Sequence, residues 1–449
     1  MHWLASLLLC AHVSTYICRH VHLKASGFIP VHNWGLWKRK KINVKKNFCT
    51  GKSCKKKTTR VYVGKEIIIG TRDSPLAIKQ SEKVQTKLEA YFKKINKNVK
   101  VILKPIKTMG DHILDKKVGL FGGKGIFTKE LDEQLIKKNV HICVHSLKDV
   151  PMELPEHVQL SCFLKRDTIN DAFLSVKYAT LEDMNKRKMA NKVEEESDQA
   201  KGTIQQMTNQ GLKRDNCEGD KCTNFIPTIG TSSLRRSSQI KYTYKNVAVK
   251  NVRGNINTRI AKLCNGQYDA IIIAKCGLER LLTKKVVRNI IRGKGKVPPE
   301  KFLLNHNDME TNLRLLRIQQ INRRTIYPAL CQGIIAVTSH KNDVDTSNIL
   351  KNINDEKAQI MANVERSFLY QIEGNCMMPI GGYAQIVGGE IVFNAVINDT
   401  HGREKYHVRE VGTVQNCNNI AAMAATKMKE KIGTHRFNKI KEEAAQYYA

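Results

Sequence analysis

Four short segments place charged and hydroxyl side chains where a predicted strand gives way to a helix or a turn. They are residues 70–77, 145–151, 230–236 and 252–259. Arg72 and Ser74 come just before a predicted helix, whose first backbone amides favour a bound anion. Lys148 and Asp149 follow a buried strand, where the pair could bind a carboxylate and transfer a proton. The segments therefore predict a site for an anionic ligand.

Five arginines share this position at strand ends, namely Arg72, Arg235, Arg236, Arg253 and Arg259. Any one of them alone could form an ordinary surface ion pair. Five guanidinium groups around one cleft would instead bind a polycarboxylate or a polyphosphate, because arginine pairs with both through two hydrogen bonds. The shared position favours this second interpretation.

Residues 373–383 form a loop rich in Gly and Pro that carries one cysteine, Cys376. Such a loop exposes the thiol, which could be a nucleophile, an attachment point or an unmodified cysteine. The chain lacks the His/Asn arrangement of a cysteine protease. No grouping of Cys and His has the spacing of a zinc site, so we predict no bound metal.

Strands alternate with helices along the chain from residue 66. Apolar, β-branched runs predict strands over 66–72, 99–106, 141–145, 228–230, 247–252, 270–274 and 334–338. This alternation indicates parallel βαβ units. Because it occurs twice, we expect an α/β fold with two doubly wound domains that resemble the lobes of type II periplasmic binding proteins. Ligands in such sheets bind beyond the carboxyl ends of the strands.

Changes of pattern divide the chain into a targeting segment and three domains. We place the segment at 1–60, a first α/β domain at 61–170 with 331–349, a second at 171–330, and a small α+β domain carrying Cys376 at 350–449. A polar stretch with little periodicity predicts a surface insertion at 185–225, and a stretch rich in Lys, Arg and Asn predicts a second at 284–324, partly helical at 309–321. In the last domain we expect helices over 356–370 and 418–432 and strands over 383–387 and 391–396.

The composition excludes several classes of protein. With 449 residues, 41% hydrophobic and 26% charged, the chain is neither collagen-like, mainly disordered nor a multi-span membrane protein. The net charge is +35, of which the first 65 residues supply 14. The remainder is still strongly basic, which indicates an anionic partner such as nucleic acid, a membrane surface or a polycarboxylate.

Residues 1–65 contain no Asp or Glu and resemble a targeting signal. The apolar run 3–11 is shorter than the roughly 20 residues that span a bilayer, and it fits the core of a signal peptide. Basic clusters at 38–41 and 55–57 then resemble a transit peptide. This order predicts an apicoplast-like plastid reached through the secretory route. The alternative is a disordered basic tail.

Taken together, these segments are similar to the porphobilinogen deaminase (hydroxymethylbilane synthase) family of tetrapyrrole biosynthesis. The resemblance rests on His-Ser-Leu-Lys-Asp-Val-Pro at 145–151 and Thr-Ser-Ser-Leu-Arg-Arg at 231–236, with the Cys376 loop downstream. Met109-Gly110-Asp111, residues 122–127 and Gln332-Gly333 add to it. It extends from about Glu66 to the C-terminus, apart from the two insertions.

The resemblance implies a transferase that joins four porphobilinogen molecules head to tail, with loss of ammonia, to give hydroxymethylbilane. Cys376 would carry a dipyrromethane cofactor through a thioether, and Asp149 would assist proton transfer and stabilise the cationic azafulvene. The cofactor's carboxylates would be held by Ser146, Lys148, Ser233, Arg235 and Arg236. The substrate's carboxylates would be held by Arg72, Ser74, Gln80, Arg253, Arg259 and Arg280. Phe127 would lie in a mobile loop over the cleft.

We further expect a monomer that acts on porphobilinogen, without nucleic acid and without a membrane after targeting. Two departures from the family pattern stand out. Cys331 replaces the usual Gly and would place a second thiol near the cleft, and Asp73 adds an acid beside Arg72. The rival interpretation is a type II solute-binding protein, which would need neither Asp149 nor Cys376. A nucleic-acid-binding protein would explain the charge but not the motifs.

Overall fold

The computed structural model describes residues 65–109, 125, 127–186, 226–298, 307–374 and 377–448. The predicted targeting segment, most of the predicted insertion at 185–225 and Cys376 itself lie outside these residues. Arg60–Ala449 form one compact unit, so the boundaries of the three domains stay a prediction. None of the described helices is both long and apolar enough to cross a bilayer.

The elements follow one another in this order: β1 (Glu66–Arg72), α1 (Pro75–Lys94), β2 (Lys100–Ile106), α2 (Lys129–Ile136), β3 (Ile142–Ser146), β4 (Val158–Phe163), β5 (Asp171–Ser175), β6 (Thr228–Gly230), α3 (Leu234–Thr243), β7 (Ala248–Lys250), α4 (Ile256–Cys264), β8 (Ala270–Ala274), α5 (Lys275–Leu282), α6 (Lys284–Ile291), α7 (Asn307–Leu315), β9 (Arg317–Gln320), β10 (Ile335–His340), α8 (Val344–Lys351), α9 (Glu356–Gln371), β11 (Ile380–Val387), β12 (Glu390–Asn398), β13 (Lys405–Thr413), α10 (Cys417–Ile432) and α11 (Thr434–Tyr448).

Helix α1 begins where its sequence predicts. The Ser74 hydroxyl accepts a hydrogen bond from the Ala77 amide at 3.4 Å, and Pro75 occupies the first turn. Val84, Leu88 and Phe92 recur at four-residue spacing and are buried in the core that β1 also joins. The helix therefore starts directly beside the carboxyl end of β1, which is where Arg72 lies.

Two five-stranded sheets share one strand order. The first is β2-β1-β3-β10-β4 and the second is β7-β6-β8-β5-β9. In each sheet the first three strands are parallel, and the fourth is antiparallel to both of its neighbours. The antiparallel strands, β10 and β5, are those that enter from the other lobe. The predicted two-lobed α/β fold and its parallel βαβ units are confirmed, and the antiparallel fourth strand of each sheet is a feature that the sequence did not indicate.

The third sheet is antiparallel, in the order β11-β12-β13, and it packs against α9, α10 and α11. Phe368 of α9 and Phe393 of β12 meet in its core with ring centroids 5.1 Å apart. This confirms a small α+β unit at the C-terminal end. The sequence did not predict β13 or α11, and the chain continues as a helix beyond the expected last helix.

Within the predicted surface insertion at 284–324, the expected helix is confirmed in part by α7, which ends at Leu315, but the described residues of α6 and β9 do not form a surface insertion. Ile318 of β9 lies opposite Leu174 of β5, so this stretch supplies an edge strand of the second sheet. Val287 and Ile290 of α6 are buried in the same core. The many Lys, Arg and Asn residues are the solvent-facing side of regular elements, which is why the apolar pattern was overlooked.

Two chain segments, 164–170 and 321–334, connect the two lobes, and a buried ion pair attaches α9 to both. Glu365 of α9 is completely buried and accepts hydrogen bonds from Arg166 at 3.1 Å, from the Ala384 amide at 2.7 Å and from the Cys331 amide. Arg166 also donates to the Gln332 carbonyl at 2.9 Å. One carboxylate thus joins the third sheet to both connecting segments.

Replacing this carboxylate should be costly. We expect Glu365→Ala to lower the free energy of unfolding by about 3–5 kcal/mol, because it leaves the buried charge of Arg166 without its carboxylate counter-charge. Lys79→Ala, which breaks an ion pair with Glu82 whose side chains are 51% and 42% exposed, should cost no more than about 1 kcal/mol. Urea denaturation measures both. Equal losses in the two variants would contradict the central role of Glu365.

Candidate functional site

The first two predicted segments meet at the carboxyl ends of β1 and β3, which are parallel neighbours. Gln80 of α1 is buried and donates a hydrogen bond to the Ser146 hydroxyl at 2.8 Å. His145, one residue earlier, is also buried. Burial lowers the pKa of His145 to about 4, and the nearby Arg72 acts in the same direction. This histidine is therefore neutral near pH 7 and adds no charge to the site.

Lys148 and Asp149 lie in a 3₁₀ turn, Leu147–Asp149, that follows β3 directly. Asp149 is exposed and Lys148 is half-buried. Burial lowers the pKa of the Lys148 ammonium, Asp149 opposes this effect, and Arg236 reinforces it. Because Arg236 belongs to the second lobe, the two lobes bring their cations together around this turn.

Arg259 belongs to the same group of charges. Its helix, α4, begins at Asn255, whose side chain accepts a hydrogen bond from the Thr258 amide at 2.9 Å. The Arg259 Nε donates to the Gly254 carbonyl at 2.8 Å, across a turn in which Gly254 has φ +103°. Burial, reinforced by Arg236 and Arg253 and opposed by Asp149, lowers the pKa of Arg259 to about 10. Asp149 thus faces cations from both lobes.

Asp171 is a central residue that the sequence did not reveal. Its carboxylate is completely buried at the start of β5 and accepts hydrogen bonds from Arg235 at 2.9 Å, from Arg236 at 2.8 and 3.1 Å, and from Gln332 at 2.9 Å. Burial raises the pKa of Asp171, but the two arginines outweigh it and keep that pKa well below the usual value. The sequence signal that could have indicated Asp171 is a single acidic residue at the start of an otherwise uncharged strand.

Arg235 and Arg236 are each only 5% exposed, and both donate to the protein itself. Besides Asp171, Arg235 donates to the Tyr327 carbonyl and Arg236 donates to the Ile272 carbonyl at 3.0 Å. Both guanidinium groups therefore lie at the cleft bound to the protein itself, with the Asp171 carboxylate as their shared counter-charge. Direct contact of either guanidinium with a bound carboxylate stays a prediction. Ser233 precedes α3, but its side chain makes no capping hydrogen bond.

Arg280 lies at the junction of the lobes. It is buried and donates to Asp167 at 3.2 Å and to the Gly333 carbonyl at 3.0 Å. Lys83 and Lys284 contact the same carboxylate, at 3.1 and 2.9 Å. The described partners of Arg280 therefore belong to the segments that connect the lobes, and a contact of Arg280 with substrate stays a prediction.

Phe127 and Arg366 lie at the edges of the site. The Phe127 ring centroid lies 4.1 Å from the Arg72 guanidinium, a cation–π contact. Arg366 of α9 donates to the carbonyls of Val150, Pro151 and Met152 at 2.8–3.2 Å, and so holds the loop after Asp149. Sequence reasoning missed Arg366 because only the fold brings α9 to that loop.

Cys331 is not the accessible second thiol that the sequence suggested. It is 2% exposed, and burial raises the pKa of its thiol far above the ordinary value, with Glu365 acting in the same direction. A buried thiol that resists deprotonation is a poor nucleophile. Among the residues that the structure covers, no three His, Cys, Asp or Glu side chains are grouped as a metal site requires.

The described cations exceed the described carboxylates in this cleft. Asp149 is the acid that opposes the loss of charge at both Lys148 and Arg259, while Arg236 is paired with the fully engaged Asp171. The lowered pKa values of Lys148 and Arg259 show that burial disfavours these charges as they stand. Carboxylates of a bound ligand would relieve that penalty. These residues therefore fit a ligand with several carboxylate groups.

Comparison with known proteins agrees with this chemistry. Residues 67–208 and 212–348 match the model of the porphobilinogen deaminase dipyrromethane cofactor binding domain. Residues 359–430 match the model of the porphobilinogen deaminase C-terminal domain. The matched ranges run through the whole of the predicted insertion at 284–324 and through most of that at 185–225.

Curated relatives align over most of their length. A porphobilinogen deaminase from Nitratiruptor sp. is 32% identical over 81% of this chain and 93% of the relative. Relatives of the same name from Macrococcus caseolyticus and Staphylococcus aureus are 30% and 31% identical over 78% of this chain and 90% of the relative. This chain therefore aligns with nearly the whole length of these relatives.

Solved structures match only loosely. An arginine transport system periplasmic binding protein from Legionella pneumophila has a TM-score of 0.30 at 11% identity, covering 65% of this chain and 92% of that structure. A probable amino-acid transporter extracellular-binding protein from Bacillus subtilis has the same TM-score at 10% identity, covering 65% and 93%. At such scores the description of the fold rests on the sheet order alone.

Proposed function

This chain belongs to the porphobilinogen deaminase family, and from that premise we propose which of its residues perform each part of the reaction. The family's enzymes are transferases of tetrapyrrole biosynthesis that convert porphobilinogen into hydroxymethylbilane with a dipyrromethane cofactor. The observation that carries the assignment of roles is the position of Asp149 among cations from both lobes.

Asp149 is proposed as the catalytic carboxylate. It is exposed at the end of a rigid turn, so it can approach the nitrogen of an incoming pyrrole. When the carbon–nitrogen bond of porphobilinogen breaks, ammonia leaves with the electron pair and the remaining pyrrole methylene becomes positive. A carboxylate at this position stabilises that charge and can accept the proton released when the new carbon–carbon bond forms.

Neighbouring cations are proposed to orient the carboxylates of substrate and cofactor. Lys148 and Arg259 are half-buried and flank Asp149, and Arg253 lies close to Arg259. Cofactor carboxylates are assigned to Ser146, Lys148, Ser233, Arg235 and Arg236. Substrate carboxylates are assigned to Arg72, Ser74, Gln80, Arg253, Arg259 and Arg280. Bound through Cys376, the dipyrromethane supplies the pyrrole carbon that starts the chain.

Intact mass tests the attachment residue. We expect a mass increment equal to dipyrromethane in the wild type and in Cys331→Ser, because the Cys331 thiol is buried. Cys376→Ser should lack the increment, before and after incubation with porphobilinogen. Native mass spectrometry of the wild-type protein, alone and mixed with a short DNA duplex, should show a monomer that binds no DNA. An increment that survives in Cys376→Ser would overturn the assignment.

A second variant separates catalysis from cofactor binding. Asp149→Asn should keep the cofactor increment but lose about 10²–10⁴-fold in kcat, because the amide keeps the shape and cannot accept a proton. Asp183→Asn, which changes an exposed acid of the second lobe that has no assigned role, should retain the wild-type rate. Product formation after a stopped reaction gives both rates. Near-normal turnover in Asp149→Asn would exclude it as the catalytic carboxylate.

Location is a separate proposal, supported by composition alone. We propose that residues 1–60 direct the chain to an apicoplast-like plastid, since an apolar run precedes an acid-free basic stretch. Residues 1–60 fused to a fluorescent protein should reach the plastid of a cell with a secretory route to it. Residues 30–60 alone should remain in the cytosol, because they lack the apolar run. Plastid import of this shorter fusion would contradict the two-part signal.

A further inference from the structure

The C-terminal helix α11 lies beyond the ranges that the family models match, which end at residue 430. Its first half belongs firmly to the third sheet. Phe437 and Ile440 are buried in the core of that sheet, and Arg436 forms ion pairs with Glu404 at 2.7 Å and Glu443 at 3.3 Å. The helix is therefore anchored at one end before it reaches the second lobe.

The other end of α11 contacts the turn that opens α3. The Tyr448 hydroxyl accepts a hydrogen bond from the Leu234 amide at 3.1 Å and lies 3.5 Å from the Ser232 carbonyl. Leu234 is the first residue of α3, and the side chain of the capping residue Ser233 does not bond to the helix. Tyr448 thus supplies the acceptor that the sequence of this helix does not provide.

The neighbouring tyrosine extends the contact to a second site segment. The Tyr447 hydroxyl donates to the Asn251 side chain at 3.0 Å, two residues before Arg253. The Ser232 hydroxyl in turn donates to the Val252 carbonyl at 2.7 Å. The end of α11 is therefore connected to both second-lobe segments in which the proposed carboxylate-binding arginines lie.

Helix α11 also contacts the segment that leads to the thiol. Lys441 forms an ion pair with Glu373 at 2.9 Å, and Glu373 is three positions before Cys376 in the sequence. Lys429 of α10 contacts the same carboxylate at 3.5 Å. Glu373 is 63% exposed, so these ion pairs contribute little energy. They show that one helix contacts both the segment that precedes Cys376 and the turn that opens α3.

We propose that Tyr448 is a positioning residue for the cofactor: its hydroxyl fixes the turn from which Ser233, Arg235 and Arg236 extend, relative to the loop of Cys376. This inference rests on the proposed function, because it assigns those side chains to the cofactor's carboxylates. Small displacements of such groups weaken ligand binding sharply, since charged hydrogen bonds depend on distance and direction. Tyr448 does not touch the reacting atoms.

The test follows cofactor loading in the full chain. Apoenzyme made in cells that cannot synthesise porphobilinogen is mixed with porphobilinogen, and intact mass is recorded over time. We expect Tyr448→Phe to gain the cofactor increment about three- to tenfold more slowly than the wild type, the effect of losing one neutral hydrogen bond. Tyr406→Phe is the matched control, since the Tyr406 hydroxyl bonds to Glu404 within the third sheet at 3.1 Å.

A second measurement does not depend on activity. Amide hydrogen exchange of Leu234 should be faster in Tyr448→Phe and unchanged in Tyr406→Phe, whereas urea unfolding should be similar for both. Loading at the wild-type rate in Tyr448→Phe, or equal slowing in the control, would overturn the positioning role. If the wild type itself gains no increment, the proposed function fails and this inference fails with it. If the wild type loads normally, a failed prediction for Tyr448→Phe overturns the role of Tyr448 and leaves the proposed function standing.

Discussion

The Asp171 carboxylate is the interaction on which the rest of the cleft depends. It accepts two hydrogen bonds from Arg235, two from Arg236 and one from Gln332, with no exposure to solvent. Removing three charged groups from water is costly, and only this saturation of both oxygens makes the arrangement stable. It also connects β5, α3 and the chain segment that returns to the first lobe. The turn that carries the proposed cofactor ligands is thus fixed by the junction between the lobes.

The same carboxylate leaves the cleft positively charged. One acid shared by two guanidinium groups has a net charge of +1, and Lys148 and Arg259 lie next to it. Arginine stays protonated in proteins, whereas lysine can lose its proton when it is buried. The lowered pKa of Lys148 marks it as the cation most sensitive to whether a bound carboxylate is present. Charge in this cleft is therefore balanced in part by the ligand.

Sequence reasoning found the residues that are close to their own motif and missed those that the fold brings in. Arg72, Asp149 and Arg259 could be predicted because Arg72 ends β1, Asp149 comes soon after β3 and Arg259 lies in the helix after β7, and strand ends meet at one edge of a parallel sheet. Asp171, Arg366 and Tyr448 could not, since their partners lie far away in the chain. Periodicity located α1 and β3 within a few residues. Within 284–324 it located part of α7 but not α6 and β9, whose charged solvent-facing residues conceal the apolar pattern.

Contacts of the third sheet with the two lobes differ in kind. Toward the first lobe, Ala358 and Ala362 of α9 join an apolar cluster with Leu147, Phe163 and Ala336. Separating these would expose apolar surface, which costs about 25 cal/mol for each Å².

Toward the α3 end of the second lobe, the described contacts are mainly hydrogen bonds, as at Tyr447 and Tyr448, together with the close approach of Gly402 to the α3 backbone. Each such bond contributes only about 1 kcal/mol net. Displacement of the α3 end of the second lobe relative to the third sheet would thus break mainly hydrogen bonds. Such an interface suits a cleft in which the bound chain lengthens by one pyrrole at a time.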